Sequence, residues 1–135
     1  MKAVWATFIA LALPTLGISS TAGEEDLMEI NPINATDFEV IQGTNYGAAE
    51  FWCGAATFVE RRTGRSELTE IYVKRPRGPS LTVAGRNGGV FTTNAAGLPP
   101  DDPSRLTLTG RQPGASLKSV QARRYCRDAF TRSTK

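Results

Sequence analysis

The chain has 135 residues, 40% of them hydrophobic, a formal net charge of +3 and no histidine. Without histidine, Ser-His-Asp and Cys-His catalysis and His-containing zinc sites are excluded. The length fits one domain with one core, and thirteen glycines with eight prolines predict many turns without the composition of a disordered polymer.

Residues 1–22 carry the three parts of a secretory signal. Lys2 supplies the positive end, Ala3 to Leu13 is an apolar run, and Pro14 to Ala22 ends in the small residues Ser20-Thr21-Ala22. The apolar run is shorter than the roughly 20 residues that cross a bilayer. A signal peptide cleaved after Ala22 is therefore expected, and with it a periplasmic or secreted protein. Residues 23–35 (GEEDLMEINPINA) are acidic, broken by Pro32, and read as a flexible arm leading into a single α+β domain at 36–135. Asn34-Ala35-Thr36 matches the N-glycosylation acceptor pattern, which also arises by chance.

Asp37 to Gln42 alternates Phe38 and Val40 with polar residues, which predicts a short strand. A helix follows, with Asn45 as N-cap, Glu50 near its first turn and Arg61 and Arg62 in its last turn before Gly64. Its apolar residues, from Ala48 to Val59, run around the whole circumference, as in a helix packed on more than one side. Cys53 is at its midpoint. Leu68 to Lys74 reads as a strand and Arg75-Pro76-Arg77-Gly78-Pro79 as a turn. Ser80–Ala84 and Val90–Thr93 read as strands of a hairpin around Asn87-Gly88. Residues 95–105 read as loop, and Arg105 to Thr109 alternates like a further strand. A last helix, capped by Ser116 or Ser119, places Ala122, Tyr125, Cys126, Ala129 and Phe130 on one face and Arg123, Arg124 and Arg127 on the other.

The resulting expectation is a two-layer α+β fold, in the order β-α-β-β-β-β-α. An antiparallel sheet of about four to five strands would carry two disulfide-linked helices on one face. An even cysteine count in an exported chain predicts a Cys53–Cys126 disulfide. The alternatives are two buried thiols or a redox pair, although no Cys-x-x-Cys is present.

Charge divides the chain. Residues 23–60 hold eight acidic and no basic residues, whereas residues 61–135 hold fifteen basic and five acidic ones, a local excess of +10. Two readings follow: the halves neutralise each other in the fold, or the second half presents a basic binding face. Candidate anion-binding residues are Lys74, Arg75, Arg77 and Arg86 near the sheet, with Arg123, Arg124 and Arg127 on the last helix, because arginine binds carboxylate and phosphate bidentately.

Catalytic patterns are sparse. Lys118 and Ser119 are neighbours and do not face one another on a helix. Asp101-Asp102 lies among prolines, and Glu67 and Glu70 point to opposite faces of a strand. Glu24-Glu25-Asp26 lacks the spaced ligands of a calcium loop. Gly85 to Gly89 lacks the Gly-Lys-Ser/Thr of a phosphate loop. No cofactor and no metal is implied.

Phe51-Trp52-Cys53-Gly54-Ala55-Ala56, Ile71-Tyr72-Val73-Lys74-Arg75 with Gly78-Pro79-Ser80, Val90-Phe91-Thr92 and Ala122-Arg123-Arg124-Tyr125-Cys126 together resemble a group of small exported proteins of marine alphaproteobacteria. The resemblance covers most of the expected domain. It implies export and disulfide pairing and carries over no catalytic residue. The functional expectation is a non-catalytic binding module with a basic surface. Its partner would be an acidic envelope polymer, an anionic lipid or an acidic protein surface, and not nucleic acid, since the aromatic-basic interleaving of single-strand binders is missing. The alternatives are a histidine-free enzyme using carboxylates and arginines, and a structural envelope accessory protein.

Overall fold

The structure is a computed structural model that describes residues 24–102 and 108–129. The expected signal peptide, Arg105 to Thr107 of the expected strand, and Phe130 lie outside these residues.

The acidic segment is not a free arm. After a short 3-10 turn at Glu24–Leu27, Ile30–Pro32 forms β1, and Met28 and Ile30 are buried in the core. These two apolar side chains, every second residue, suffice to hold an edge strand in place. β1 pairs antiparallel with β2, Asp37–Ile41, through Ile30↔Val40 and Pro32↔Phe38. The tight connection is an Asx turn: Asn34 Oδ1 accepts from the N–H groups of Thr36 and Asp37 at 2.9 and 2.8 Å. Asn34 Nδ2 donates to Asp37 at 3.1 Å, so the Asn-Ala-Thr tripeptide is a turn motif with its amide engaged.

Helix α1, Ala48–Ala56, continues as a π-helical stretch at Thr57–Arg62. Its start differs from the expected one. Asn45 takes a positive φ of 60° in the preceding turn, and Gly47 stands at the N-cap, its N–H donating to Glu50 Oε2 at 2.9 Å. Arg61 and Arg62 do close the helical segment, and Gly64 follows at a φ of 65°.

The remaining strands depart further from the sequence pattern. β3 is Glu70–Pro79, running straight through the Arg75–Pro79 stretch that composition marks as a turn. Register shifts after Val73 and after Arg75 show how the prolines fit: this stretch is bulged, so missing N–H groups cost no ladder bond. β4 is Asn87–Thr92, with Asn87 and Gly88 inside the strand rather than at a turn. The expected strand Ser80–Ala84 is instead part of the loop that joins β3 to β4, where Gly85 supplies the positive φ of 78°. β5, Ser116–Lys118, pairs with Glu70–Tyr72 and leads directly into α2, Ser119–Arg123. Lys118 holds the N-cap position of α2, and its N–H donates to Gln121 Oε1 at 2.9 Å, rather than Ser116 or Ser119 capping the helix. A turn at Arg124-Tyr125 separates α2 from α3, Cys126–Ala129.

The result is an α+β architecture: a five-stranded antiparallel sheet in the order β1-β2-β4-β3-β5 with helices on one face. Phe38, Val40, Phe91, Ile71 and Val73 face α1 across the core, and eight of the nine α1 residues are buried, as their unbroken apolar circumference predicts. Trp52 meets Phe91 edge-on at 5.1 Å, while Phe38 stacks on Phe58 at 4.3 Å. Cys53 and Cys126 form the expected disulfide, with Cα atoms 4.7 Å apart, tying the middle of α1 to the start of α3.

Gly54 sets the distance between the helix and the sheet. A Cβ there would lie 2.8 Å from Val40 Cγ1 and 3.0 Å from Met28 Cε. Gly54→Ala in an exposed helix would gain about 1 kcal/mol; here overpacking should outweigh that, giving a net loss of about 1–2 kcal/mol. Urea unfolding decides the sign, and a stabilised variant would refute the close approach.

Candidate functional site

The sheet face opposite the helices holds two buried carboxylates. Asp37 and Glu39 alternate along β2 and so point the same way, yet they are only 5% and 1% exposed. Asp37 pairs with Lys74 and also receives hydrogen bonds from Asn34 and Thr36. Burial pushes its carboxyl upward, but Lys74 first, then Thr92, Asn34 and Thr36, outweigh that and hold it well below the usual carboxylate range.

Glu39 is wrapped by the β3–β4 loop. Ser80 Oγ and Thr82 Oγ1 each donate to Oε1 at 2.6 Å, the Leu81 N–H donates to Oε2 at 2.9 Å, and the Thr82 N–H donates to Oε1 at 3.1 Å. Burial raises its pKa, and the two hydroxyls followed by the two N–H groups more than reverse this, so Glu39 is ionised below the usual range. Gly88 makes room for it: a Cβ there would lie 2.9 Å from the carboxyl carbon. Both carboxylates have their oxygens committed to fixed donors and are closed off from solvent. They anchor structure and are not poised for proton transfer, which needs an accessible group titrating near the working pH.

Ion pairing sorts the arginines and lysines. Arg61 meets Glu25 and Asp26 at 3.5 and 2.8 Å, Lys74 meets Asp37, Arg86 lies 3.7 Å from Glu29, and Arg123 meets Glu60 and, at 3.4 Å, Glu67. Arg62 donates to the Met28 and Ile30 carbonyls and Arg65 to the Ala35 carbonyl. Acidic residues of the first half thus pair with four cations of the basic second half. Of the seven candidate cations, Lys74, Arg86 and Arg123 are paired in this way.

Four candidates are left without a carboxylate among the described residues: Arg75 and Arg77 on the bulged part of β3, and Arg124 and Arg127 beside α2 and α3. The structure brings them together only in part. Arg124, Arg127 and the already paired Arg123 line an open groove of about 480 Å³ beside Cys126, together with Val120 and Glu25, the latter paired with Arg61. Arg77 lies elsewhere, in a cleft of about 350 Å³ formed with Gly47, Ala48, Phe51, Leu108, Thr109, Gly110 and Arg111. Arg111 is exposed, unpaired among the described residues, and not among the candidates, because it stands alone between loop residues. Its only sequence signal is its position before Pro113-Gly114. The buried role of Asp37 and Glu39 had no signal at all, since acids at the polar positions of a strand ordinarily face water.

Among the described residues no group of His, Cys, Asp and Glu is arranged to hold a metal ion, and no helix is long and apolar enough to cross a membrane. Comparison with known protein families, curated proteins and solved structures returned no match, so what these sites do is argued from their own geometry.

Proposed function

We propose that the protein is a non-catalytic binding module of an exported compartment that holds an acidic envelope polymer on its unpaired arginines. The observation that carries this reading is the selective pairing. Six carboxylates pair with Arg61, Lys74, Arg86 and Arg123, yet Arg75, Arg77, Arg111, Arg124 and Arg127 have no carboxylate partner among the described residues. A surface that only needed neutrality has no use for that residue. Guanidinium groups suit carboxylate and sulfate, and cations spread over separate grooves suit an extended polyanion better than a single compact one. The disulfide and the leader pattern at 1–22 support export.

The test is retention of the oxidised protein on an acidic-polysaccharide column. Binding at low salt should fall as the Debye length shrinks from about 30 Å to about 8 Å between 0.01 M and 0.15 M salt. Arg124→Gln with Arg127→Gln should weaken it about tenfold, two exposed charge contacts being worth about 1–2 kcal/mol. No retention at low salt removes the polymer reading; binding to anionic vesicles in its place would move the assignment to lipid.

A further inference from the structure

The cleft between the start of α1 and residues 108–111 is a more defined feature than the open groove. Arg77 enters it from β3 and Arg111 from the 108–111 segment, and neither has a carboxylate partner among the described residues. Its volume of about 350 Å³ is at the small end of the range for small-molecule sites. The wall shared with the two guanidiniums is apolar, made by Ala48, Phe51 and Leu108. The segment is also fixed in place: the indole N–H of the fully buried Trp52 donates to the Thr109 carbonyl at 2.9 Å.

Charge selects the ligand. The N–H of Gly47 at the head of α1 is taken by Glu50, and the charged side chains that line the cleft are the two guanidiniums. Glu50 is buried behind the cleft wall at 3% exposure and is spent on the Gly47 N–H, so it does not line the cleft. We propose that this cleft binds a carboxylate carried on a compact body with an apolar face, the carboxylate between Arg77 and Arg111 and that face against Ala48, Phe51 and Leu108. A phosphate or sulfate would leave the apolar wall unused. This rests on the basic-surface reading above and narrows it to one site. The carboxylate can come from a free short-chain acid or from a uronate unit of an acidic polymer.

The oxidised protein is titrated with sodium hexanoate, trigalacturonate and inorganic phosphate while arginine Nε–H signals are followed by NMR. At least one carboxylate should saturate with a Kd of about 1 mM, the scale expected for so small a ligand, with the Arg77 and Arg111 signals shifting furthest and hexanoate shifting those two alone. Saturation by hexanoate alone identifies a free acid as the source, and saturation by trigalacturonate alone a uronate unit; either supports the site. Phosphate should bind at least about fivefold more weakly, and Arg77→Gln or Arg111→Gln should each cost about tenfold in carboxylate affinity with the Trp52 near-UV spectrum unchanged. Absence of saturation by both carboxylates, tighter phosphate binding, or variants within twofold of the parent overturns the proposal. The column assay reads the polymer surface separately, so hexanoate can bind when retention fails and retention can persist when hexanoate does not bind.

Discussion

Replacing Cys53 and Cys126 together by alanine will lower the free energy of unfolding by about 4 kcal/mol, the largest single loss expected from this molecule. The bridge spans a sequence separation of 73, so its removal releases a long loop in the unfolded chain. The native state has little to put in its place. α2 and α3 are five and four residues long, too short to persist without tertiary support. They are held by the buried side chains of Ala122 and Ala129, by the disulfide and by hydrogen bonds from Ser119 and Arg123 to Glu60. Denaturant unfolding of the oxidised parent against the double variant measures the loss, and hydrogen exchange should show the amides of 119–129 opening first. A loss below about 1 kcal/mol would show that the helices dock without the bridge.

Glu39→Gln is expected to cost about 3 kcal/mol, because the buried site is built entirely of donors. An amide of the same shape sets its N–H₂ against the Leu81 N–H or, flipped, against the Thr82 N–H, and either needs an acceptor. The β3–β4 loop should detach from the sheet face, seen as lost exchange protection at residues 81–83. The same site gives a pH dependence whose sign is fixed by the lowered pKa values of Glu39 and Asp37. A carboxyl that is more acidic folded than unfolded contributes fully above its unfolded pKa, and that contribution is lost as pH falls through the folded value. Stability from these two groups should therefore be flat through neutral pH and decline only below the ordinary carboxylate range, and Glu39→Gln should flatten the decline. An unchanged acid limb in the variant would contradict the assignment.

The parts of the fold legible from sequence were those encoded locally. α1 announced itself by an apolar circumference with Arg61 and Arg62 at its end, and Cys53 and Cys126 by their even count behind a leader pattern. What escaped was set by partners distant in sequence. Asn87-Gly88 carries a strong turn preference, but Gly88 is needed inside β4 to admit Glu39, 49 residues earlier, so the turn moved into residues 80–86. β5 is three residues with no pattern of its own and exists because Glu70–Tyr72 offers it an edge. Pro76 and Pro79 argue for a turn until the bulges of β3 are known. The acidic 23–35 segment reads as an arm because charge dominates its composition, although Met28 and Ile30 are enough to seat it. Among the cations, residue types were legible and pairing was not: nothing local separates Arg86, tied to Glu29, from Arg77, which lines the cleft with Arg111.

The hydrogen bond from Trp52 to Thr109 has a consequence for how the chain matures. The indole is at the centre of the core, fully enclosed, and its acceptor is 57 positions further along. β3 likewise waits for β5 to cover its edge, and Cys53 for Cys126. A chain emerging from a ribosome or a membrane pore N-terminus first therefore cannot close its centre until its final quarter is out. Premature locking is discouraged by the order of the residues alone.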